Sequence, residues 1–321
     1  MKKIKKVLFI GTLNWPQRLA RLVNSYDSQS AFATGLSLGV KTFPRLLFHL
    51  MRSDVVVRVG LRPGARNWKM FLFDCVWFFF SSLKSRAVYC VYWIGTDVVM
   101  ASKEVDRNTL FLELSKKNLH LAGAPWFSQE LLPLGLDAKS SIFPLQINFS
   151  EVTELAPDRF FVLTYIPDER HEFYGGEQVL ALSRAYPEID FFVIGGEGRW
   201  TLESQRNLKF LGWVKDIDSL LRVKPILLRL VSHDAIGGTV REALAYGCHV
   251  VYTYDLPYCE KAVFGNDLSI SKAFSDALAK RRDASRAVNM DGARYAVENW
   301  DSKTLTRGLM DALADGVKNE Q

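Results

Sequence analysis

Ten short hydrophobic runs alternate with helix-length segments along the chain, and few fold classes accommodate this alternation. Five runs lie in the first half, at residues 4–11, 54–60, 87–94, 118–123 and 140–145. Five more lie in the second half, at residues 160–165, 189–194, 208–213, 225–231 and 249–254. Nearly continuous hydrophobicity over so few residues is typical of parallel strands that are covered on both faces. The pattern predicts an α/β fold with two doubly wound domains and a cleft between them.

The length and one polar segment predict where the domains divide. A chain of 321 residues is too long for one ordinary hydrophobic core. Residues 146–158 are the most linker-like part, so we expect an N-terminal domain over 1–150 and a C-terminal domain over 151–321. The helical tail has an apolar stripe over 303–314, which predicts that the last helix packs back on the N-terminal domain.

Charge is distributed unevenly between the two predicted domains. Residues 1–150 contain 20 Lys and Arg against 9 Asp and Glu, whereas residues 151–321 contain 21 against 26. A basic domain can bind nucleic acid or the anionic surface of a membrane. No nucleic-acid-binding motif accompanies the basic residues, so the sequence favours the membrane surface and no nucleic-acid partner.

The N-terminus and the cysteines predict a cytoplasmic protein. Four lysines precede an apolar run that is too short for a signal peptide. The cysteines, which form no metal-binding or C-x-x-C pattern, are expected to be reduced core residues: Cys75, Cys90, Cys248 and Cys259.

The aromatic segment 68–83 is too short to span a membrane and contains Asp74. The first interpretation is a helix buried in the N-terminal domain. The alternative is a helix that lies in the membrane interface, since basic residues flank the segment. These flanking residues are Arg62, Arg66, Lys69, Lys84 and Arg86.

The turn after the run at 225–231 has the composition of a phosphate-binding turn. Gly237 and Gly238 allow close approach of a ligand, Thr239 is a suitable N-cap, and the next helix is expected to end at Gly247. Free amides and the positive end of the helix dipole would attract a phosphate group. Thr239 and Glu242 could also form an ordinary capping box.

Residues Asp234 through Gly247 resemble the donor-binding motif of GT-B glycosyltransferases related to family 4, of the type that builds bacterial surface polysaccharides. In that motif two acidic residues stand eight positions apart, here Asp234 and Glu242. The resemblance implies that Glu242 binds the ribose hydroxyls of a nucleotide sugar and that Asp234 lies near the sugar or its phosphates. It also implies the GT-B fold, with two Rossmann-like domains. The usual first residue is Glu rather than Asp, which weakens the expected sugar contact.

Three further segments resemble the same family. The strand and turn that end in Gly195–Gly198 imply a donor contact at Gly196, and the strand ending at 213 implies a contact of Val214 with the base. The family places an Arg and a Lys after the first strand of the C-terminal domain. Arg170 can bind the diphosphate, but Tyr174 stands in the position of the lysine. The neighbouring residues Asp168, Glu169 and Glu172 are expected to form a solvated loop.

The N-terminal domain offers fewer candidates. Asp97 follows a predicted strand and is either the general base of an inverting transferase or a cap of the next helix. Gly11 and Thr12 end the first predicted strand, where they either approach a ligand or simply form the turn.

Together these features predict a glycosyltransferase that transfers a sugar from a nucleotide-diphosphate sugar to a hydroxyl of a lipid-linked or other saccharide acceptor. The basic domain predicts peripheral contact with the inner face of the plasma membrane. The resemblance implies no metal and no other cofactor. Two alternatives remain: a GT-B sugar-nucleotide epimerase, and a non-catalytic scaffold of a glycan-assembly complex.

Overall fold

The computed structural model describes residues 4–26, 32–61, 68–83, 87–103, 112–147, 152–202 and 205–319. The chain forms two compact units. The first unit contains residues 1–146 together with 302–321, and the second contains residues 147–301. Each unit is built on one parallel six-stranded sheet.

The sheet of the first unit has the strand order β2-β1-β3-β4-β5-β6, and every neighbouring pair is parallel. The strands are β1 (Lys6–Gly11), β2 (Phe32–Ser37), β3 (Val55–Val59), β4 (Val88–Trp93), β5 (Leu119–Ala122) and β6 (Ala138–Ser140). Strands β3 and β4 consist largely of β-branched and aromatic residues and are buried throughout, because helices cover both faces of the sheet.

The helices of the first unit are α1 (Trp15–Tyr26), α2 (Phe43–Leu50), α3 (Trp68–Ser82), α4 (Thr96–Lys103), α5 (Phe127–Leu131) and α11 (Ser302–Asn319). The last helix, α11, belongs to this unit although it follows the whole second unit in sequence. Its residues Leu309 and Leu313 are fully buried in the core beside Phe9 and Val23.

Helix α3 contains the aromatic segment, and its inner face is buried in the first unit. Phe73, Trp77 and Phe78 are 1–5% exposed. Asp74 points into the same core and forms an ion pair with Arg58 of β3, with 2.9 Å between Nη2 and Oδ1. The ion pair with Arg58 therefore explains how this aromatic segment accommodates a charged residue in the core. The flanking residues Arg62, Arg66, Lys84 and Arg86, and the side chain of Lys69, lie outside the described residues.

The sheet of the second unit has the order β12-β11-β10-β7-β8-β9, again parallel throughout. The strands are β7 (Val162–Tyr165), β8 (Phe191–Ile194), β9 (Leu208–Gly212), β10 (Ile226–Arg229), β11 (His249–Tyr252) and β12 (Glu260–Lys261). The helices are α6 (Gly176–Ala185), α7 (Asp218–Leu221), α8 (Gly238–Ala245), α9 (Asp267–Arg282) and α10 (Met290–Trp300).

The order of strands identifies one position in this sheet where a ligand is expected. From β7 the chain proceeds through β8 to β9 on one side, and β10 then pairs with β7 on the other side. Strands β7 and β10 therefore flank the topological switch point, and ligands of doubly wound proteins bind beside the carboxyl ends of such strands.

The second half of the predicted linker is attached to the second unit. The Nζ of Lys224 donates to Thr153 Oγ1 and to the carbonyl oxygen of Leu155, both at 2.9 Å. Arg281 donates to the carbonyl oxygen of Pro157 at 2.7 Å. Residues 148–151 of the predicted linker lie outside the described residues.

Nine of the ten predicted strands coincide with strands of the structure, but the prediction at 140–145 is wrong, and two strands, β2 and β12, are not predicted. Strand β2 contains Gly35 and has only one buried residue, and β12 is a two-residue edge strand, so neither has a hydrophobic run to predict it. Strand β6 ends at Ser140, where the prediction for 140–145 begins, because the apolar residues that follow it form no sheet pairing.

The described helices include none that is long and apolar enough to cross a membrane. Cys90 and Cys248 are buried, Cys75 and Cys259 are partly buried, and all four are free thiols.

Candidate functional site

The carboxyl ends of β7 and β10 position the candidate site in the second unit. Helix α6 begins after β7, and α8 begins after β10. Gly175, which precedes α6, has φ of 64°, and a Cβ there would lie 2.8 Å from Cβ of Leu230. This contact requires glycine and holds the start of α6 against the end of β10, so two helix N-termini lie at the switch point.

The turn before α8 corrects the predicted helix start. Gly237 is the N-cap, with φ of −59° and ψ of 144°, and the helix begins at Gly238. Thr239 is the second helical residue, so the predicted N-cap at Thr239 and its capping box with Glu242 are wrong. The amides of Gly238 and Thr239 find no acceptor in the described part of the chain, and two donors are left at the positive end of the helix. Gly247 follows the helix with φ of 75°, which is the expected C-terminal glycine.

Glu242 lies one turn into α8, on the same face as Gly238. Its side chain is partly buried, and within the described residues it has neither a hydrogen-bond donor nor an ion-pair partner. Burial, with a smaller contribution from the negative charge of Asp218, raises the pKa of Glu242. Helical side chains generally lean toward the helix N-terminus, so position 242 favours contact with a ligand bound at the amides of Gly238 and Thr239. The carboxylate can therefore accept hydrogen bonds from a polyhydroxy group bound there.

Asp234 is held by a cation that the sequence analysis did not single out. Nε of Arg229, the last residue of β10, donates to Oδ2 of Asp234 at 2.9 Å, and the hydroxyl of Tyr252 contacts the same oxygen at 3.3 Å. The backbone amide of Asp234 donates to the hydroxyl of Tyr254. Burial disfavours the charged guanidinium, but the carboxylate of Asp234 outweighs this effect and raises the pKa of Arg229.

Aromatic rings surround this ion pair. The guanidinium carbon of Arg229 lies 4.9 Å from the ring centroid of Tyr174 and 5.9 Å from that of Tyr165. The exposed Arg170 stacks on Phe173 at 4.1 Å and lies 5.4 Å from Tyr174. Both guanidinium groups therefore lie near the ring of Tyr174, and the position where the family resemblance predicts a lysine contributes a π face instead.

Asp168 has a structural role, which corrects its prediction as part of a solvated loop. Its carboxylate accepts hydrogen bonds at 2.9–3.0 Å from the amides of Glu197, Gly198 and Arg199. Burial opposes ionisation, but these donors outweigh it and lower the pKa of Asp168. A Cβ at Gly196 would lie 2.5 Å from the carbonyl oxygen of Ile166, so this close approach already accounts for glycine at 196. The exposed Glu169 and Glu172 fit the solvated loop.

Val214 lies just beyond β9 and is partly buried. The residue before it, Trp213, directly follows β9 and is 76% exposed. The structure therefore presents a large aromatic surface next to the position predicted to contact a base.

In the first unit, Gly11 ends β1 and Thr12 is partly buried in the turn that follows. A Cβ at Gly11 would lie 2.6 Å from the carbonyl oxygen of Val59, so the close approach of β3 requires glycine there.

Asp97 is the second residue of α4 and is only 2% exposed. Its carboxylate accepts hydrogen bonds from the amides of Ile94 at 3.1 Å and Gly95 at 2.7 Å, and the amides of Asp97 and Val98 also stabilise the charge. Burial is the larger effect and raises the pKa of Asp97 to about 6. The carboxylate thus stabilises the turn before α4, and the backbone amides of that turn occupy its oxygen atoms.

We expect Asp97→Asn to change the pH dependence of stability. The native carboxyl keeps its proton to about pH 6, whereas the carboxyl of the unfolded chain loses it near its ordinary pKa of 3.8. Because the native state binds more protons in this window, it gains stability as the pH falls from about 6 to about 4, by about 3 kcal/mol. Chemical unfolding of the wild type and of Asp97→Asn across pH 4–7 gives the free energy of unfolding of each protein. The value for the wild type minus the value for the variant should show this gain as the pH falls. Equal curves would contradict the raised pKa.

Proteins of known structure share this architecture. No family model matches the sequence, and no curated protein matches it either. Solved structures do match. Sucrose-phosphate synthase from Thermosynechococcus elongatus superposes with a TM-score of 0.70 at 10% identity, over 99% of this chain and 100% of that one. An alpha-glucosyltransferase in complex with UDP-glucose and DNA gives a TM-score of 0.64 at 9% identity, over 98% and 100% of the two chains.

The chain has the GT-B fold. The fold predicted from the alternating runs and from the donor-motif resemblance is therefore confirmed. A third GT-B match, a protein assigned as a UDP-N-acetylglucosamine 2-epimerase from Listeria monocytogenes, has a TM-score of 0.55 at 12% identity over 99% and 98% of the two chains. At identities of 9–12%, the similarity establishes the GT-B fold, while the activity depends on the side chains of the site.

Proposed function

We propose that this protein is a glycosyltransferase that uses a nucleotide-diphosphate sugar as donor. The observation that best supports the proposal is the face of α8. The amides of Gly238 and Thr239 at the helix start have no acceptor among the described residues, and the carboxylate of Glu242, one turn further on, has no partner there either. One helical turn is about 5.4 Å, which suits a phosphate on the amides and the adjoining ribose on the carboxylate.

Cations at the switch point support a diphosphate rather than a neutral ligand. Arg170 is exposed and extends across Phe173, from which it can contact a phosphate oxygen. Transfer of the sugar leaves negative charge on the departing diphosphate, and a guanidinium with the helix dipole can stabilise that charge without a metal. We propose further donor contacts at Gly196 and Val214. One of the matching structures is an alpha-glucosyltransferase in complex with UDP-glucose, which supports a UDP-sugar as donor.

The first unit is proposed to bind the acceptor, through the turns at Gly11, Thr12 and Asp97. A lipid-linked glycan at the anionic inner face of the plasma membrane is the acceptor that the charge favours, since 20 Lys and Arg stand against 9 Asp and Glu in residues 1–150. Exposed apolar side chains on and beside α2 and α3 support this proposal. They are Phe48, Met51, Leu72, Phe79 and Leu83. The corresponding pathway would be polysaccharide or lipopolysaccharide assembly.

An inverting transfer needs a base for the acceptor hydroxyl, and Asp97 is the candidate in the first unit. The burial of Asp97 and its four backbone donors instead favour a structural role, in which the carboxylate stabilises the turn before α4. A transfer assay separates the two roles. If Asp97 braces the turn, Asp97→Asn should keep the transfer rate within about tenfold, whereas loss of the base would cost about 100-fold or more.

An epimerase is the second candidate, and the match to the Listeria protein supports it. A scaffold is the third, supported by Asp at 234 and Tyr at 174, where the resemblance predicts Glu and Lys. The transferase is preferred to the scaffold because, within the described residues, the carboxylate of Glu242 and the amides at the start of α8 have no partner and can bind a donor. It is preferred to the epimerase because the matches to the sucrose-phosphate synthase and the alpha-glucosyltransferase have higher TM-scores, 0.70 and 0.64 against 0.55.

The test is a transfer assay with labelled nucleotide sugars, with and without a lipid extract from bacterial membranes. The transferase account predicts that label enters the lipid fraction and that nucleoside diphosphate is released only when the extract is present. Release of an altered free sugar and nucleotide without the extract would favour the epimerase. No turnover with any donor would favour the scaffold.

A further inference from the structure

Arg229 occupies an unusual place for a cation. It ends β10, a strand whose other residues are all apolar and buried, and it is itself only 8% exposed. A buried guanidinium requires compensation for the water that it loses. Here the compensation from the protein is one carboxylate, that of Asp234.

The ion pair uses one edge of the guanidinium only. Nε donates to Oδ2 of Asp234, but neither Nη1 nor Nη2 donates a hydrogen bond to any group that the structure describes. The rings of Tyr174 and Tyr165 lie along the same side chain and offer π faces instead of acceptors. Arginine has five N–H donors and commonly binds two oxygens in parallel, so this geometry leaves an edge that fits an anion.

The guanidinium lies against the start of α8 through Nε and Nη2. A Cβ at Gly237 would lie 3.3 Å from both Nε and Nη2 of Arg229 and 3.0 Å from Oδ2 of Asp234. Glycine at 237 thus lets the guanidinium contact the backbone directly before the helix. The next two amides, of Gly238 and Thr239, have no acceptor within the described ranges. A positive charge and two oriented donors therefore point to the same small region.

We propose that Arg229 binds the diphosphate of the donor and replaces the lysine that the family resemblance predicts where Tyr174 stands. Asp234 is a positioning residue, which fixes Nε so that the Nη edge faces the ligand. The neighbouring aromatic ring of Tyr174 restricts the guanidinium to this orientation. The proposal rests on the proposed function, because it assumes that the anion at α8 is a nucleoside diphosphate.

The test compares ligands that differ only in phosphate. Titration calorimetry of the full chain with UDP, GDP and ADP first identifies the diphosphate that the wild type binds. Affinity for this diphosphate, for its nucleoside and for inorganic pyrophosphate is then measured with Arg229→Met. We expect a loss of about 10- to 100-fold for the diphosphate and for pyrophosphate, and less than about twofold for the nucleoside. The matched control, Arg282→Met, removes an exposed arginine of α9 and should change none of the three.

A second variant guards against simple misfolding. Arg229→Met leaves Asp234 without its cation, so the double variant Arg229→Met/Asp234→Asn removes both charges and should unfold near the wild-type temperature. It should still lose the diphosphate selectively. Equal losses for diphosphate and nucleoside, or no loss, would overturn the role of Arg229 and leave the proposed function standing. Failure of the wild type to bind any nucleoside diphosphate would instead overturn the proposed function.

Discussion

Glu242→Ala is expected to weaken binding of the donor nucleotide by about 10- to 100-fold. A hydrogen bond to a charged carboxylate contributes about 1.5–3 kcal/mol, and the carboxylate of Glu242 has no other described partner to satisfy. If the partner is a ribose, the wild type should prefer a nucleoside diphosphate to its 2′-deoxy form, and the variant should bind both equally. Titration calorimetry of the two nucleotides against both proteins measures this directly.

A matched control and a conservative variant define the result. Glu298→Ala removes an exposed carboxylate from α10 of the same unit and should leave both affinities unchanged. Glu242→Gln keeps the size of the side chain and should lose only part of the preference for ribose. Unchanged binding by Glu242→Ala would contradict the assignment of this residue to the donor.

Asp74→Ala is expected to lower the free energy of unfolding of the first unit by about 3–5 kcal/mol. The ion pair of Asp74 with Arg58 is nearly inaccessible, with side chains that are 8% and 1% exposed. Burial raises the pKa of Asp74, although Arg58 opposes this effect. Removal of the carboxylate would leave the guanidinium of Arg58 buried, where its Nη1 already has no partner among the residues that the structure describes. Urea unfolding monitored by tryptophan fluorescence gives the change.

Replacement of both charged residues distinguishes the cost of burying the charges from the stabilisation that they give each other. Arg58→Met/Asp74→Leu should recover most of the lost stability, because apolar side chains of similar size can fill the space without a desolvation cost. Loss of the exposed pair Arg282–Glu188 by Glu188→Ala should cost less than about 1 kcal/mol. A cost for Asp74→Ala as small as that for Glu188→Ala would show that the buried pair is dispensable.

The sequence predicted the fold well where hydrophobic runs were continuous. Strands β3 and β4 are fully buried and rich in β-branched and aromatic residues, so composition alone identifies them. The edge strand β2 has a glycine and polar residues, and its pairing with β1 depends on the tertiary structure rather than on its own pattern. Periodicity cannot detect such a strand.

The candidate site was predicted in part for similar physical reasons. The glycines before α8 and the acidic Glu242 follow local spacing rules, which a sequence displays. Arg229 lies within a hydrophobic run and was missed, because its significance comes from Asp234 and from the ring of Tyr174. A charged residue at the end of an otherwise apolar strand was the available signal. The amides that Asp168 binds lie 29–31 residues away, so no local rule predicts that contact.

We propose that the second unit binds a nucleoside diphosphate at the start of α8. Isothermal titration calorimetry of the wild-type protein against UDP, GDP, ADP, CMP and dTDP measures this binding. We expect saturable binding of one diphosphate at one site per chain, with binding of the corresponding nucleoside at least about tenfold weaker, because the amides and Arg229 would contact the phosphates. Absence of binding by all five nucleotides, or equal affinity for the nucleoside, would contradict it.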